Sequence, residues 1–149
     1  MSVGTPEAQP SADRVARIAV LLESGRAGEA ALGRAAALAG ELQAELTVVA
    51  VAPQATRTCC GGVSPAAYNE TVRDQVAADL GRAVAELGVP ARFELLSEAR
   101  EPALPRFVSE RAIELVLLPA RHVALGSARH PQARRLRGLP GVEVRVITP

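Results

Sequence analysis

Residues 121–137 hold the densest chemistry of the chain. Arg121, His122, Arg129, His130, Arg134, Arg135 and Arg137 fall within one short stretch, with Gly126-Ser127 in its middle. A guanidinium can fork onto a phosphate, and a histidine and a serine hydroxyl can add donors beside it. This composition points to an anion site, with Arg121 and His122 as its candidates and Gly126 and Ser127 as loop partners. The competing reading is a solvated helix face and a loop. Cys59 and Cys60 are adjacent and stand before Gly61-Gly62. Two neighbouring thiols lack the spacing of a redox pair and are too few for a closed zinc site, so they read as spare loop thiols. A metal or redox role would need a further ligand such as His122.

The other side chains suggest no enzyme. Ser24, Ser64 and Ser127 are the hydroxyls near the strand ends, and none lies in a Gly-x-Ser-x-Gly elbow. Asp13 and Glu98 have no partner at a spacing that acid–base work would need. All 17 basic residues are arginine, which excludes Schiff-base lysine chemistry and a P-loop lysine. The aromatic content is 2%, and the net charge is +1. Nucleic acid is not expected as a partner, because single strands are held on aromatic platforms and basic surfaces.

These residues must be positioned by alternating strands and helices. Arg17 to Glu23, Leu46 to Ala52 and Ile113 to Leu118 are short apolar runs, as buried parallel strands require. Ala91 to Leu96 and Val142 to Ile147 complete five strands; the last alternates apolar and charged residues, so it has a wet face or an edge. Helical spacing of apolar residues runs from Glu29 to Leu42 and from Ser64-Pro65 to Leu87, where Gly88 closes the helix. A shorter helix is predicted over about Glu101 to Arg111, and a weak one between Ala128 and Arg137. The order predicts an α/β sandwich of three layers around a five-stranded parallel sheet. Ligands bind such sheets beyond the carboxyl ends of the strands, which gathers residues 22–28, 51–64 and 118–127 around one crevice. The 149 residues are expected to form a flexible tail over 1–12 and a single domain over 13–149. No apolar run is long enough to span a membrane and the start lacks a secretory pattern, so a cytoplasmic protein is expected.

Three stretches resemble the universal stress protein family. They are Arg17-Ile-Ala-Val-Leu-Leu-Glu-Ser-Gly with the Ala-rich helix after it, Ala44-Glu-Leu-Thr-Val-Val-Ala-Val, and Ala112-Ile-Glu-Leu-Val-Leu-Leu-Pro-Ala-Arg-His. The resemblance covers residues 14–149 and implies an adenine nucleotide alpha hydrolase-like fold. It also implies a homodimer that pairs the strand Val142 to Ile147 with a second copy. ATP-binding members carry Gly-x-x-Gly, nine residues, then Gly-Ser or Gly-Thr. Here the paired glycine positions hold Pro119 and His122, and Gln132 stands where the later glycine belongs. Glu23 replaces the family's aspartate at the adenine end, and Val51 matches a strand position whose backbone meets adenine. The expectation is a non-catalytic stress or regulatory protein without the usual ATP mode and without a cofactor. The alternative is a binder of ATP, AMP or another phosphate-bearing ligand through a rearranged loop 119–127. Its residues would be Glu23, Val51, Arg121, His122, Gly126 and Ser127.

Overall fold

The computed structural model describes residues 17–52, 64–97, 102–124 and 126–149. Cys59, Cys60, Asp13, Glu98 and the tail over 1–12 lie outside the described residues.

Strand β1 (Arg17–Leu21) leads through α1 (Arg26–Leu42) to β2 (Glu45–Ala52). Next come α2 (Pro65–Ala85), β3 (Arg92–Ser97), α3 (Ala103–Glu110) and β4 (Leu115–Pro119). A hairpin of β5 (His122–Ala124) and β6 (Ser127–Arg129) follows, then α4 (Ala133–Arg137) and β7 (Glu143–Ile147). The main sheet runs in the order β3-β2-β1-β4-β7, with every pair parallel. Right-handed crossovers on both sides of β1 produce this order and cover both faces.

Alternate residues of each central strand enter opposite cores. Ile18, Val20, Val48, Leu115 and Leu117 pack with Ala31, Ala35 and Leu38 of α1 and Leu80 of α2. Ala19, Leu21, Val49, Val116 and Leu118 pack instead with Leu104, Phe107 and Val108 of α3 and Ala133 and Leu136 of α4. Small alanines on α1 let that helix lie close to the sheet. This is the expected three-layer sandwich on five parallel strands.

Local signals set the helix ends. The Ser64 hydroxyl accepts from the Ala67 backbone N–H at 3.2 Å, and Pro65 takes the first helical position. Pro102 caps α3, so Pro105 falls inside its first turn, where no intrahelical N–H is lost. The weak helix expected between Ala128 and Arg137 is present but short: α4 holds Ala133–Arg137, and β6 occupies Ser127–Arg129. Pro131 explains the break, because it disfavours helical backbone at the preceding residue, His130. Gly126 turns the hairpin with φ of +77°, a conformation that costs a side-chain-bearing residue.

Candidate functional site

Strand β1 connects towards β2 on one side, while β4 lies on its other side. The carboxyl ends of β1 and β4 therefore border the topological switch point, where sheets of this type open a crevice. Glu23 lies two residues beyond β1, and Arg121 two residues beyond β4. The parallel register Ile18↔Leu115 and Val20↔Leu117 brings these two loop positions side by side.

The Glu23 loop is held from below. Gly28, in the first turn of α1, is buried against the Glu23 carbonyl, and a Cβ there would collide with that backbone oxygen. Gly25 reverses the chain with φ of +95° and caps the helix. On the facing side, the Arg121 backbone N–H donates to the Arg129 carbonyl at 2.8 Å, and the Ala120 N–H donates to the Ile147 carbonyl at 2.9 Å. Both loops are thus fixed before their side chains meet.

The side chains close the crevice. Arg121 forks onto the Glu23 carboxylate, Nε to Oε1 at 3.1 Å and Nη2 to Oε2 at 2.6 Å. His130 Nε2 lies 2.8 Å from the same Oε2. The imidazole is fully buried, and its Nδ1 accepts from the Gln132 backbone N–H at 3.0 Å. With Nδ1 engaged as an acceptor, Nε2 carries the proton and donates to Glu23. Burial by itself raises the Glu23 pKa. Hydrogen bonds from His130 and Arg121, and the attraction of those groups, outweigh it and lower the carboxyl to about 2. The hydrogen bond to Glu23 in turn raises Arg121 above its ordinary value. Glu23 is 20% exposed, so the pair is neither free in water nor sealed in the core.

The candidates from the sequence fall into two groups. Glu23 and Arg121 meet directly. Val51 pairs with Leu96 in the sheet and is partly buried on the α3 and α4 face. His122 opens β5 opposite Arg129 and is exposed, Gly126 makes the hairpin turn, and Ser127 opens β6. Sequence reasoning missed His130 as a site residue. Its partner is 107 positions away, and no local pattern announces a buried imidazole before Pro131. Among the described residues, no three His, Cys, Asp or Glu side chains group as a metal site. None of the described helices is long and apolar enough to cross a membrane.

No family model and no curated protein matches the chain. Solved structures do. A universal stress protein family member from Burkholderia pseudomallei matches with a TM-score of 0.69 and 22% identity, over 92% of this chain and 98% of that one. The universal stress protein UspA from Lactobacillus plantarum matches with a TM-score of 0.65 and 19% identity, over 90% and 98%. The Archaeoglobus fulgidus universal stress protein in complex with dAMP matches with a TM-score of 0.55 and 20% identity, over 90% and 98%. Strand order, layering and this near-complete coverage lead to one conclusion: the chain is built on the universal stress protein fold.

Proposed function

We propose that the chain is a universal stress protein whose nucleotide crevice is closed by its own side chains, and that it acts as a non-catalytic stress or regulatory domain. The observation that carries this reading is the bidentate Arg121–Glu23 pair across the carboxyl ends of β4 and β1, backed by buried His130. An adenine entering there would have to displace a charge-assisted pair and cover the Glu23 carboxylate, which is only 20% exposed. Pro119 and His122 stand at the glycine positions, so the backbone approach that phosphates need is blocked as well. The protein works in the cytoplasm as a homodimer, with the free edge of β7 pairing to a second copy.

Calorimetric titration with adenosine, ATP and inorganic tripolyphosphate tests the closure. Adenosine is expected to give no binding heat, and ATP to bind no tighter than tripolyphosphate. Adenosine binding, or ATP binding at least ~10-fold tighter than tripolyphosphate, would sink this reading.

A second reading is favoured by the Archaeoglobus fulgidus neighbour, which was solved with dAMP. In it Arg121 leaves Glu23 when a nucleotide arrives, and Glu23, Val51, His122, Gly126 and Ser127 line the opened loop 119–127. Under this reading the Arg121→Ala variant loses nucleotide affinity; under the first, the substitution does not weaken whatever ATP binding the phosphates alone provide.

A further inference from the structure

A groove of about 360 Å³ lies between β6 and α4. Ser127, Arg129, His130, Arg134 and Arg137 line it, together with two alanines. Local geometry explains the convergence. Ser127 and Arg129 are two apart on a strand and share a face. Arg134 and Arg137 are three apart on a helix and share a side. Buried Ala133 and Leu136 pin α4 to the core, so the two arginines are carried on a fixed element.

The charge of this groove is uncompensated. No carboxylate lines it, and residues 115–142 contain no aspartate or glutamate at all. Among the described residues, Arg129, Arg134 and Arg137 make no ion pair, whereas Arg82, Arg106, Arg111, Arg121 and Arg145 each meet a carboxylate. Nearby Glu23 is already neutralised by Arg121. The larger groove of about 820 Å³ beside β3 differs, because Glu94 and Glu110 in its wall pair with Arg111 and Arg106. Three guanidinium groups around one concavity repel each other until an anion sits between them. Each fork matches phosphate oxygens, and the Ser127 hydroxyl adds a donor.

We propose that this groove binds a small ligand through a phosphate group, or a short chain of phosphates, carrying at least two negative charges. The volume is at the small end for ligand pockets, which suits a phosphate head with a compact body. No Phe, Tyr or Trp lines the groove, and the His130 ring is buried against Glu23, so the groove offers no platform for stacked bases and does not suit a nucleic-acid strand. The groove shares His130 with the crevice, and the Arg129 carbonyl holds the Arg121 backbone N–H. The Arg134 and Arg137 side chains take no part in the Glu23–Arg121 pair, so replacing them tests the groove without opening the crevice.

The test is calorimetric titration of the full chain with inorganic tripolyphosphate, followed by displacement with ribose 5-phosphate. Arg134→Gln and Arg137→Gln are each expected to weaken binding by ~10-fold or more. Arg135→Gln, on the same helix but outside the groove, is expected to change it by less than ~2-fold. Displacement by ribose 5-phosphate would assign the site to a single phosphomonoester, and resistance to it would assign the site to a chain of phosphates. Absence of binding by the unaltered protein would overturn the proposal. So would equal losses at Arg135 and Arg134, or tighter binding of a single-stranded oligonucleotide than of tripolyphosphate.

Discussion

Glu23 holds its charge at the edge of the core because three other groups make that charge cheap to keep. Arg121 supplies the opposite charge, His130 supplies a buried donor, and the Gln132 N–H fixes which ring nitrogen donates. The consequence for pH follows from the direction of the shift. The folded carboxyl titrates at about 2, below its ordinary value of 4.5. Glu23 therefore contributes stability that is full above its ordinary value and is lost as pH falls towards about 2. Allowing for solvent screening, the contribution is about 1–2 kcal/mol. In Glu23→Gln, the unfolding free energy from urea titration is expected to fall by that amount at neutral pH and to lose this part of its acid dependence. An unchanged slope between pH 4.5 and 2 would refute the assignment. His130→Ala should cost more, about 2–4 kcal/mol, because it opens a cavity and strips the Gln132 N–H and Glu23 of a partner. Arg121 could be nominated from sequence because it follows an apolar strand beside the crevice, and Glu23 because it stands where the family that the chain resembles has aspartate. His130 could not, since the burial that gives it a role depends on packing between distant segments.

At the level of elements, the apolar runs and the Ser64-Pro65 cap were legible because their causes are local. The Leu46 to Ala52 run appears as β2 within one residue at its start, since β-branched apolar residues and Pro53 leave little choice. The stretch over 119–141 was not legible. Its arginines and alanines favour helix by propensity, but Pro131 and the positive φ of Gly126 divide it into hairpin and short helix. Gly126→Val should therefore destabilise by about 1–2 kcal/mol, read from thermal unfolding, because a β-branched residue resists that φ. The edge strand β7 allows a cleaner test of assembly. Glu143 N–H donates to Glu114 of the neighbouring segment at 2.9 Å, so the backbone groups of Val144 and Val146 point outward. Val144→Pro removes an outward N–H and leaves the β4 ladder intact. Sedimentation is expected to give twice the 15.5 kDa chain mass for the unaltered protein and the single mass for the variant. A monomer before substitution would remove the dimer.

For the whole molecule, one fold carries two opposite electrostatic solutions a short distance apart. The crevice at the switch point satisfies its own charges, and the groove between β6 and α4 leaves three cations unanswered. The topology that creates the crevice follows from strand alternation and was readable in the sequence. Its closure was not, because it depends on one carboxylate reaching across 98 positions to one guanidinium. The most direct measurement is the titration of the Glu23 carboxyl carbon by NMR, with and without saturating ATP. The closed crevice predicts a carboxylate still ionised at about pH 3 and unmoved by ATP. A midpoint near the ordinary 4.5, or one that ATP shifts, would show a carboxylate open to solvent or ligand and would contradict the account.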